Sequence, residues 1–136
     1  KDPGNLGTII RTAEWFGLSH IFLSPECVEY YNPKVVQSSM GSIFRMQLTN
    51  ISLPDLQREV QPKATYGAVL GGNVVEGKNW ETPCILVIGS ESHGIGTENK
   101  KHLTEGISIS AYGQAESLNA AIACGILLYS FKQQPG

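Results

Sequence analysis

The side chains of this 136-residue chain that could do chemistry lie beside glycines, in three polar clusters. The first cluster is DPGNLG at residues 2–7, and Arg11 follows it within a predicted helix over residues 5–16. Asn5 is placed to cap that helix, whose first backbone N–H groups would then form an anion site. The alternative is a capped helix that carries a solvent-exposed ion pair between Arg11 and Glu14.

The second cluster is GSESHGIG at residues 89–96, directly after the apolar run CILVI. A strand that ends in a glycine loop is typical of ligand sites in open α/β sheets, which lie at the carboxyl ends of the strands. Known phosphate loops do not fit, because Glu91 stands where a dinucleotide loop needs its second glycine and no G-K-[ST] ending follows. The G-x-S-x-G pattern of a nucleophilic serine is also absent. We interpret His93 as a polar loop residue rather than a catalytic base.

The third cluster is ISAYG at residues 109–113, followed by ESLN at residues 116–119, where a long apolar helix begins. Ser117 is a candidate N-cap for that helix. An amide such as Asn119 in the first turn of an apolar helix needs hydrogen-bond partners when it is buried. The sequence alone leaves Asn119 open between a capping role and a functional one.

Alternating helices and strands must position these clusters. The predicted helices cover residues 5–16, 33–40, 54–60 and 117–131, and the predicted strands cover residues 20–24, 43–48, 65–70, 84–89 and 107–110. The strands lack in/out alternation, which indicates an α/β fold with a mostly parallel sheet and helices on both faces. The last helix is apolar almost all the way round, and we expect it to be buried on more than one side.

The length, the 41% hydrophobic content and the net charge of −2 predict one domain over residues 1–136. No apolar run reaches the ~18 residues of a membrane span and no signal-peptide pattern is present, so we expect a soluble, cytoplasmic protein. The three cysteines form no C-x-x-C spacing, which argues for reduced thiols and against disulfides or a zinc site. The ten basic residues are spread out, so a nucleic acid would have to be held locally or by another domain.

Together and in this order, the three clusters resemble the SpoU (TrmH-like) family of RNA 2′-O-ribose methyltransferases, within the SPOUT superfamily. The matching patterns are N-x-G-x-x-x-R-T-A-x-x-F-G at residues 5–17, G-x-E-x-x-G at 89–94 and E-S-L-N at 116–119. Ser39 and Gly41 also match the family's S-x-G position. The sequence departs from the family at residues 109–111, where I-S-A replaces the usual I-P-M. We expect the chain to lack the family's first strand and any N-terminal RNA-binding domain.

The resemblance implies a fold and a reaction. Members of the family have a deep C-terminal trefoil knot, bind S-adenosyl-L-methionine in the loops of the knot, and form homodimers through helices beside it. The reaction moves the methyl group of the cofactor to a ribose 2′-hydroxyl of tRNA or rRNA, without a metal ion. The alternative is a catalytically inactive, knotted module for RNA binding or regulation. An ordinary nucleotide-binding domain is disfavoured because the phosphate loop is missing.

The resemblance also assigns roles to residues. The implied cofactor-binding positions are Gly89, Ile109, Leu118, Val69 and Leu70. The implied catalytic positions are Arg11, Asn5, Glu91, Ser117 and Asn119. We expect glycine at position 89 to leave room for the adenosine. A guanidinium stays protonated at ordinary pH, so we expect Arg11 to clamp a phosphate and position the 2′-hydroxyl rather than act as a base.

The other polar positions have supporting roles in this hypothesis. Asn5 and Asn119 would brace Arg11 and the loops, and Glu91 would hold Arg11 or fix its own loop. Ser117 would either orient the ribose or cap its helix. Outside the motifs, Tyr30 and Tyr31 would either stack on RNA bases or pack as ordinary loop residues.

Overall fold

Parallel strand pairs occur in both halves of the chain, as the continuous apolar runs predicted. The computed structural model describes residues 3–27, 31–90 and 93–134. Its contacts divide the chain into two compact units, Lys1–Ser52 and Leu53–Gly136. Each unit mixes helices with parallel strands and is described by itself.

The first unit contains two helices, a 3₁₀ turn and a two-stranded sheet. These elements are α1 (Pro3–Trp15), β1 (His20–Leu23), α2 (Pro33–Ser39), the turn Ser42–Phe44 and β2 (Gln47–Asn50). β1 and β2 are parallel, with His20 opposite Gln47 and Leu23 opposite Asn50. β1 is less buried than its apolar sequence predicted, because Phe22 points to solvent in this unit.

Helix α1 ends where its glycine predicted. Gly17 has a φ of +85°, which a glycine adopts without strain. The N–H of Gly17 donates to the carbonyl of Glu14 at 2.9 Å, and the N–H of Leu18 donates to the carbonyl of Ala13 at 3.0 Å. This pair of bonds is a Schellman motif, which satisfies carbonyls at the helix end.

The two helices of the first unit cross closely because Gly7 has no side chain. A Cβ at this position would lie 2.6 Å from the carbonyl oxygen of Val35 and would collide with the hydroxyl of Ser38. Ile10 and Val35 are fully buried, and Ala13 is nearly so. The predicted first helix is therefore confirmed, and its buried apolar side chains pack on α2.

The predicted strand over residues 43–48 is half wrong. Ser42–Phe44 forms the 3₁₀ turn, and β2 begins only at Gln47. Met40 adopts a left-handed φ of 53° and closes α2, so the chain turns sharply before residue 43. Ile43 is buried by this turn rather than by strand alternation, which is why its apolar side chain misled the sequence pattern.

The second unit contains three parallel strands and three helices. These elements are α3 (Leu53–Val60), β3 (Ala64–Val74), β4 (Cys84–Val87), α4 (Thr97–Lys100), β5 (Glu105–Ser108) and α5 (Ala120–Gln133). The strand order is β4-β3-β5, so β3 is central. The predicted strands over 65–70, 84–89 and 107–110 are confirmed in type and are shifted by a few residues at their ends.

The core of the second unit is built around Tyr66 and Trp80. The two rings meet edge to face with centroids 5.0 Å apart, and Phe131 of α5 meets Trp80 at 5.6 Å. The hydroxyl of Tyr66 accepts a hydrogen bond from the N–H of Glu81 at 2.9 Å, which satisfies a polar group in the core. The remaining buried members of the cluster are aliphatic: Ala64, Val75, Ile107 and Leu127.

Helix α5 differs from its prediction at its start and in its burial. It begins at Ala120 rather than at Ser117. One face is buried, at Ala121, Cys124, Leu127 and Leu128. The opposite face exposes Ile122, Ile126 and Tyr129, so the expected burial on more than one side is not met within this chain. We call these three residues the α5 stripe.

The cysteines and the helix lengths bear on two further expectations. All three cysteines are free thiols, and burial raises the pKa of Cys124 to about 11. Burial also raises the pKa of Cys84. Among the described residues, no helix has the length and apolar content that crossing a bilayer requires.

Candidate functional site

Four of the predicted cofactor-binding residues lie just beyond the paired segments of neighbouring parallel strands. Val69 and Leu70 lie in the middle of β3, just past the residues paired with β4, Gly89 comes just after β4, and Ile109 comes directly after β5. Because the strands are parallel and adjacent in the order β4-β3-β5, their carboxyl ends share one edge of the sheet. Open α/β sheets bind ligands at this edge. We call it the carboxyl edge.

A bulge in β3 leaves two of these residues out of the pairing with β5. Ile107 of β5 pairs both with Ala68 and with Asn73, so residues 69–72 have no partners on β5. Val69 is half-buried and Leu70 is 80% exposed. The hydroxyl of Ser108 donates to the carbonyl of Gly72 at 2.7 Å, which fixes the far end of the bulge against β5.

A charged cluster holds the chain that leaves the bulge. Glu105 of β5 accepts from the amide of Asn73 at 2.9 Å and from Lys78 Nζ at 2.8 Å. These bonds, with that of Lys78 foremost, hold the pKa of Glu105 below its usual value. Lys78 Nζ also lies 4.9 Å from the centroid of the Tyr66 ring, so the ammonium group bridges Glu105 and the aromatic core.

A hollow of about 350 Å³ opens beside the bulge. Its lining includes Val69 and Leu70, which the sequence predicted for a cofactor wall. It also includes residues that the sequence did not suggest: Lys100, Leu103, Thr104, Glu105 and Gly106. These residues were missed because they precede or begin a strand, whereas the sequence argument looked only at residues that follow strands.

The loop after β4 closes tightly on Gly89. Ser90 and Gly94 exchange two backbone hydrogen bonds, of 3.2 and 2.8 Å. A Cβ on Gly89 would come within 2.5 Å of the carbonyl oxygen of Gly94 and would collide with the N–H of Ile95. The loop itself therefore requires glycine at position 89, which is a different reason from the room for adenosine that the sequence suggested. Glu91, the motif's acidic residue, lies outside the described residues.

The segment from β5 to α5 carries the third motif and is irregular and exposed. Ile109 at its start is half-buried and packs against the core of the second unit. Leu118 near its end is 49% exposed, and Ser117 is exposed as well. Ser117 does not cap α5, so that prediction is wrong. Asn119 caps α5, because its side-chain oxygen accepts from the N–H groups of Ala121 at 2.8 Å and Ile122 at 3.2 Å.

Helix α1 of the first unit carries Asn5 and Arg11. The helix begins at Pro3, so Asn5 is a half-buried residue of the first turn and is not the predicted cap. Arg11 lies in the middle of the helix with its side chain exposed. It pairs with no residue in the part of the chain that the structure describes, and the predicted ion pair with Glu14 is therefore wrong.

Glu14 instead binds Arg45, which is far away in the sequence. Arg45 donates from Nε to Glu14 at 2.5 Å and from a terminal nitrogen at 2.8 Å, and the hydroxyl of Ser42 donates at 2.6 Å. The hydrogen bonds from Arg45 and then Ser42 lower the pKa of Glu14 from 4.5 to about 2. The contact joins the end of α1 to the 3₁₀ turn.

We expect the Glu14 carboxylate to titrate with a midpoint of about 2 in the folded chain. Because this pKa is lowered relative to the unfolded chain, the stabilisation is complete above the unfolded value and is lost as pH falls through about 2. The measurement is an NMR titration of the Glu14 side-chain carbonyl carbon. Arg45→Gln should raise the midpoint toward 4.5, and Arg58→Gln, remote in the sequence, should not move it. A wild-type midpoint near 4.5 would contradict the structure.

Two predicted features remain, the S-x-G position and the tyrosine pair at residues 30–31. Ser39 of the S-x-G pattern is fully buried, and its hydroxyl donates to the carbonyl of Val36 at 2.9 Å, which is a structural role. Tyr31 is exposed, whereas Tyr30 lies outside the described residues. The structure thus brings Val69, Leu70, Gly89 and Ile109 to one edge in the second unit. Asn5 and Arg11 share one helix in the first.

Comparison with known proteins finds a matching family and similar relatives. A model of the SpoU rRNA Methylase family matches residues 1–129. A tRNA/rRNA methyltransferase of Synechocystis, described as uncharacterised, is 38% identical over 98% of this chain and 50% of its own length. The 23S rRNA (guanosine(2553)-2′-O)-methyltransferase RlmP of Bacillus subtilis is 33% identical over 97% of this chain and 54% of its own.

A solved structure is similar as well. The AdoMet-bound rRNA methyltransferase of Sinorhizobium meliloti superposes with a TM-score of 0.88 and 32% identity. The match covers 97% of this chain and 52% of that protein. The chain therefore spans about half the length of the relatives that it matches.

Proposed function

Since the chain belongs to the SpoU rRNA methylase family, we propose that it transfers the methyl group of S-adenosylmethionine to a ribose 2′-hydroxyl of rRNA or tRNA. The observation that carries the proposal is the carboxyl edge, where Val69, Leu70, Gly89 and Ile109 lie just beyond the paired segments of three adjacent parallel strands. The similarity to RlmP supports methylation at the ribose 2′-oxygen and an rRNA substrate, because the name of RlmP states both.

The residues of the carboxyl edge suit S-adenosylmethionine. The solvent-exposed side chains of Leu70 and Leu118 offer apolar surface to an adenine ring. The relative from Sinorhizobium meliloti binds AdoMet with the same fold. In this proposal Val69, Leu70, Gly89, Ile109 and Leu118 hold the cofactor, which supplies the methyl group as a sulfonium when bound.

The polar residues of this chain position the RNA. Arg11 holds a phosphate with its planar guanidinium and orients the 2′-hydroxyl for an in-line approach. Asn119 caps α5, which fixes the point where the chain passes from residues 117–118 into the helix. Asn5, Glu91 and Ser117 keep the supporting roles that the family motifs imply.

We further propose a homodimer and a trefoil knot, as the family resemblance implies. The α5 stripe supports the dimer, because Ile122, Ile126 and Tyr129 follow one face of the helix and expose apolar surface. A second copy of the chain that covers this face would bury it. We place the protein in the cytoplasm, where its RNA substrate would be found.

A calorimetric titration of the chain with S-adenosylmethionine, followed by transfer of its labelled methyl group to a 23S rRNA transcript, tests the proposal. We expect saturable binding in the range of about 1 μM to 1 mM that is typical of enzymes and their substrates. Nuclease digestion should then release the label as a 2′-O-methyl nucleotide. Label on a base, or no binding of the cofactor at about 1 mM, would refute it.

The second candidate is an RNA-binding module without transferase activity. The I-S-A sequence at residues 109–111 and the net charge of −2 favour it. The same experiment separates the two functions, because such a module would bind the transcript without transferring the label.

A further inference from the structure

Trp15 is 83% exposed at the end of helix α1, although tryptophan is among the side chains most favoured in cores. It lies four residues after Arg11, so the two side chains are neighbours on one face of the helix. Thr8 precedes Arg11 by three residues and is exposed on the same face. We call Thr8, Arg11 and Trp15 the α1 face. The family motif leaves position 15 open, so the motif does not account for this tryptophan.

The hydroxyl protons on this side of α1 are already used by the helix. Thr8 Oγ1 donates to the carbonyl of Gly4 at 3.0 Å, and Thr12 Oγ1 donates to the carbonyl of Thr8 at 2.7 Å. The groups that remain to engage a ligand are therefore the guanidinium of Arg11 and the indole of Trp15.

The charge of the α1 face is positive. Glu14 is the one acidic residue in the sequence of α1, and Arg45 and Ser42 already bind its carboxylate. The positive charge of Arg11 is thus not neutralised by its own helix. A cation beside an exposed aromatic ring is the pair of groups that binds single-stranded RNA, in which the cation meets a phosphate and the ring stacks on a base.

We propose that Trp15 stacks on an RNA base next to the nucleotide whose phosphate Arg11 holds. The inference rests on the proposed function and adds a binding residue to it. RNA is favoured over a second copy of the chain because the α1 face is a single ring flanked by a cation and a threonine. The α5 stripe, by contrast, is a continuous apolar row of the kind that packs against another protein in an interface.

The chain has two tryptophans, which makes the test direct. Trp80 is buried, so Trp80→Phe leaves Trp15 as the one reporter of intrinsic fluorescence. The probe is a random-sequence, single-stranded 15-nucleotide RNA. We expect RNA to quench the Trp15 emission and to protect it from acrylamide.

Affinity for the same RNA gives the second readout. We expect Trp15→Ala to weaken binding about tenfold, or about 1.4 kcal/mol. Trp15→Phe should stay within about threefold of wild type, because a phenyl ring still stacks. Phe44→Ala is the matched control, since Phe44 is 72% exposed in the same unit but is not on α1. Affinity for S-adenosylmethionine should be unchanged in all three variants.

Three results would overturn the inference. RNA affinity of Trp15→Ala equal to that of wild type would remove the stacking role while the proposed function stands. A change in the sedimentation mass of Trp15→Ala, without a change in RNA affinity, would assign Trp15 to contact between copies of the chain. If the wild-type chain binds neither RNA nor S-adenosylmethionine, the proposed function fails and the inference fails with it.

Discussion

Gly89→Ala is expected to lower S-adenosylmethionine affinity by at least about tenfold in a chain that still folds. The added Cβ would come within 2.5 Å of the Gly94 carbonyl oxygen, and the obstructing atoms are backbone, which cannot rotate away. The loop can accommodate the methyl group only by opening the paired backbone of Ser90 and Gly94. Overpacking of this kind costs about 1–3 kcal/mol, and the displaced loop is part of the proposed cofactor site.

The same loop supplies the control for this prediction. Gly96 has a φ of −63°, and a Cβ there would meet nothing within 4 Å, so Gly96→Ala should bind the cofactor as wild type does. Calorimetry gives the affinities, and circular dichroism shows whether each variant is folded. Wild-type affinity in folded Gly89→Ala would mean that the loop after β4 does not form the cofactor site.

Arg11→Ala is expected to lower methyl-transfer turnover by about 100-fold or more and to leave S-adenosylmethionine affinity unchanged. Loss of one preorganised donor to a reacting group typically costs about 10²–10³ in turnover. Arg11 is exposed, and its side chain binds no described residue, so the substitution should not disturb the fold. The measurement is single-turnover transfer of labelled methyl to the rRNA transcript.

Arg11→Lys separates charge from geometry. Lysine keeps the positive charge but lacks the planar fork that binds a phosphate through two parallel hydrogen bonds. We expect Arg11→Lys to remain at least about tenfold slower than wild type. Arg58→Lys is the control, because Arg58 is an exposed arginine whose partner Asp55 lies one helical turn away. Near-normal turnover of Arg11→Lys would exclude the clamp.

The sequence predicted those features of the fold that depend on residues close together along the chain. The glycine at position 17 ended α1, and the apolar runs became parallel strands. The carboxyl edge followed from the same pattern, because any residue after a parallel strand must lie there. The family motifs name residues on that edge, and the roles of these residues stay predictions.

Features set by distant residues were not predictable in this way. The sequence offered Arg11, on the same helix, as an alternative partner for Glu14, but Glu14 binds Arg45, which lies 31 residues further along the chain. The predicted strand ends at residue 70, yet β3 continues to Val74 because β5 pairs with it on both sides of the bulge. Serine and asparagine cap helices about equally well, so propensity could not choose between Ser117 and Asn119.

The double pairing of Ile107 has a consequence for how the second unit folds. Tyr66 of β3 pairs with Leu86 in β4 and with Glu105 in β5. The sequence separation between Tyr66 and Glu105 is about twice that between Tyr66 and Leu86. Closing the longer loop costs about 0.6 kcal/mol more in chain entropy, so the contact with β4 is favoured to form first. The bulge exists only once both Ala68 and Asn73 have met Ile107. Val69 and Leu70, which lie in the bulge, would then be the last part of this sheet to assemble and the first to open. A bound cofactor would slow unfolding that begins at the bulge.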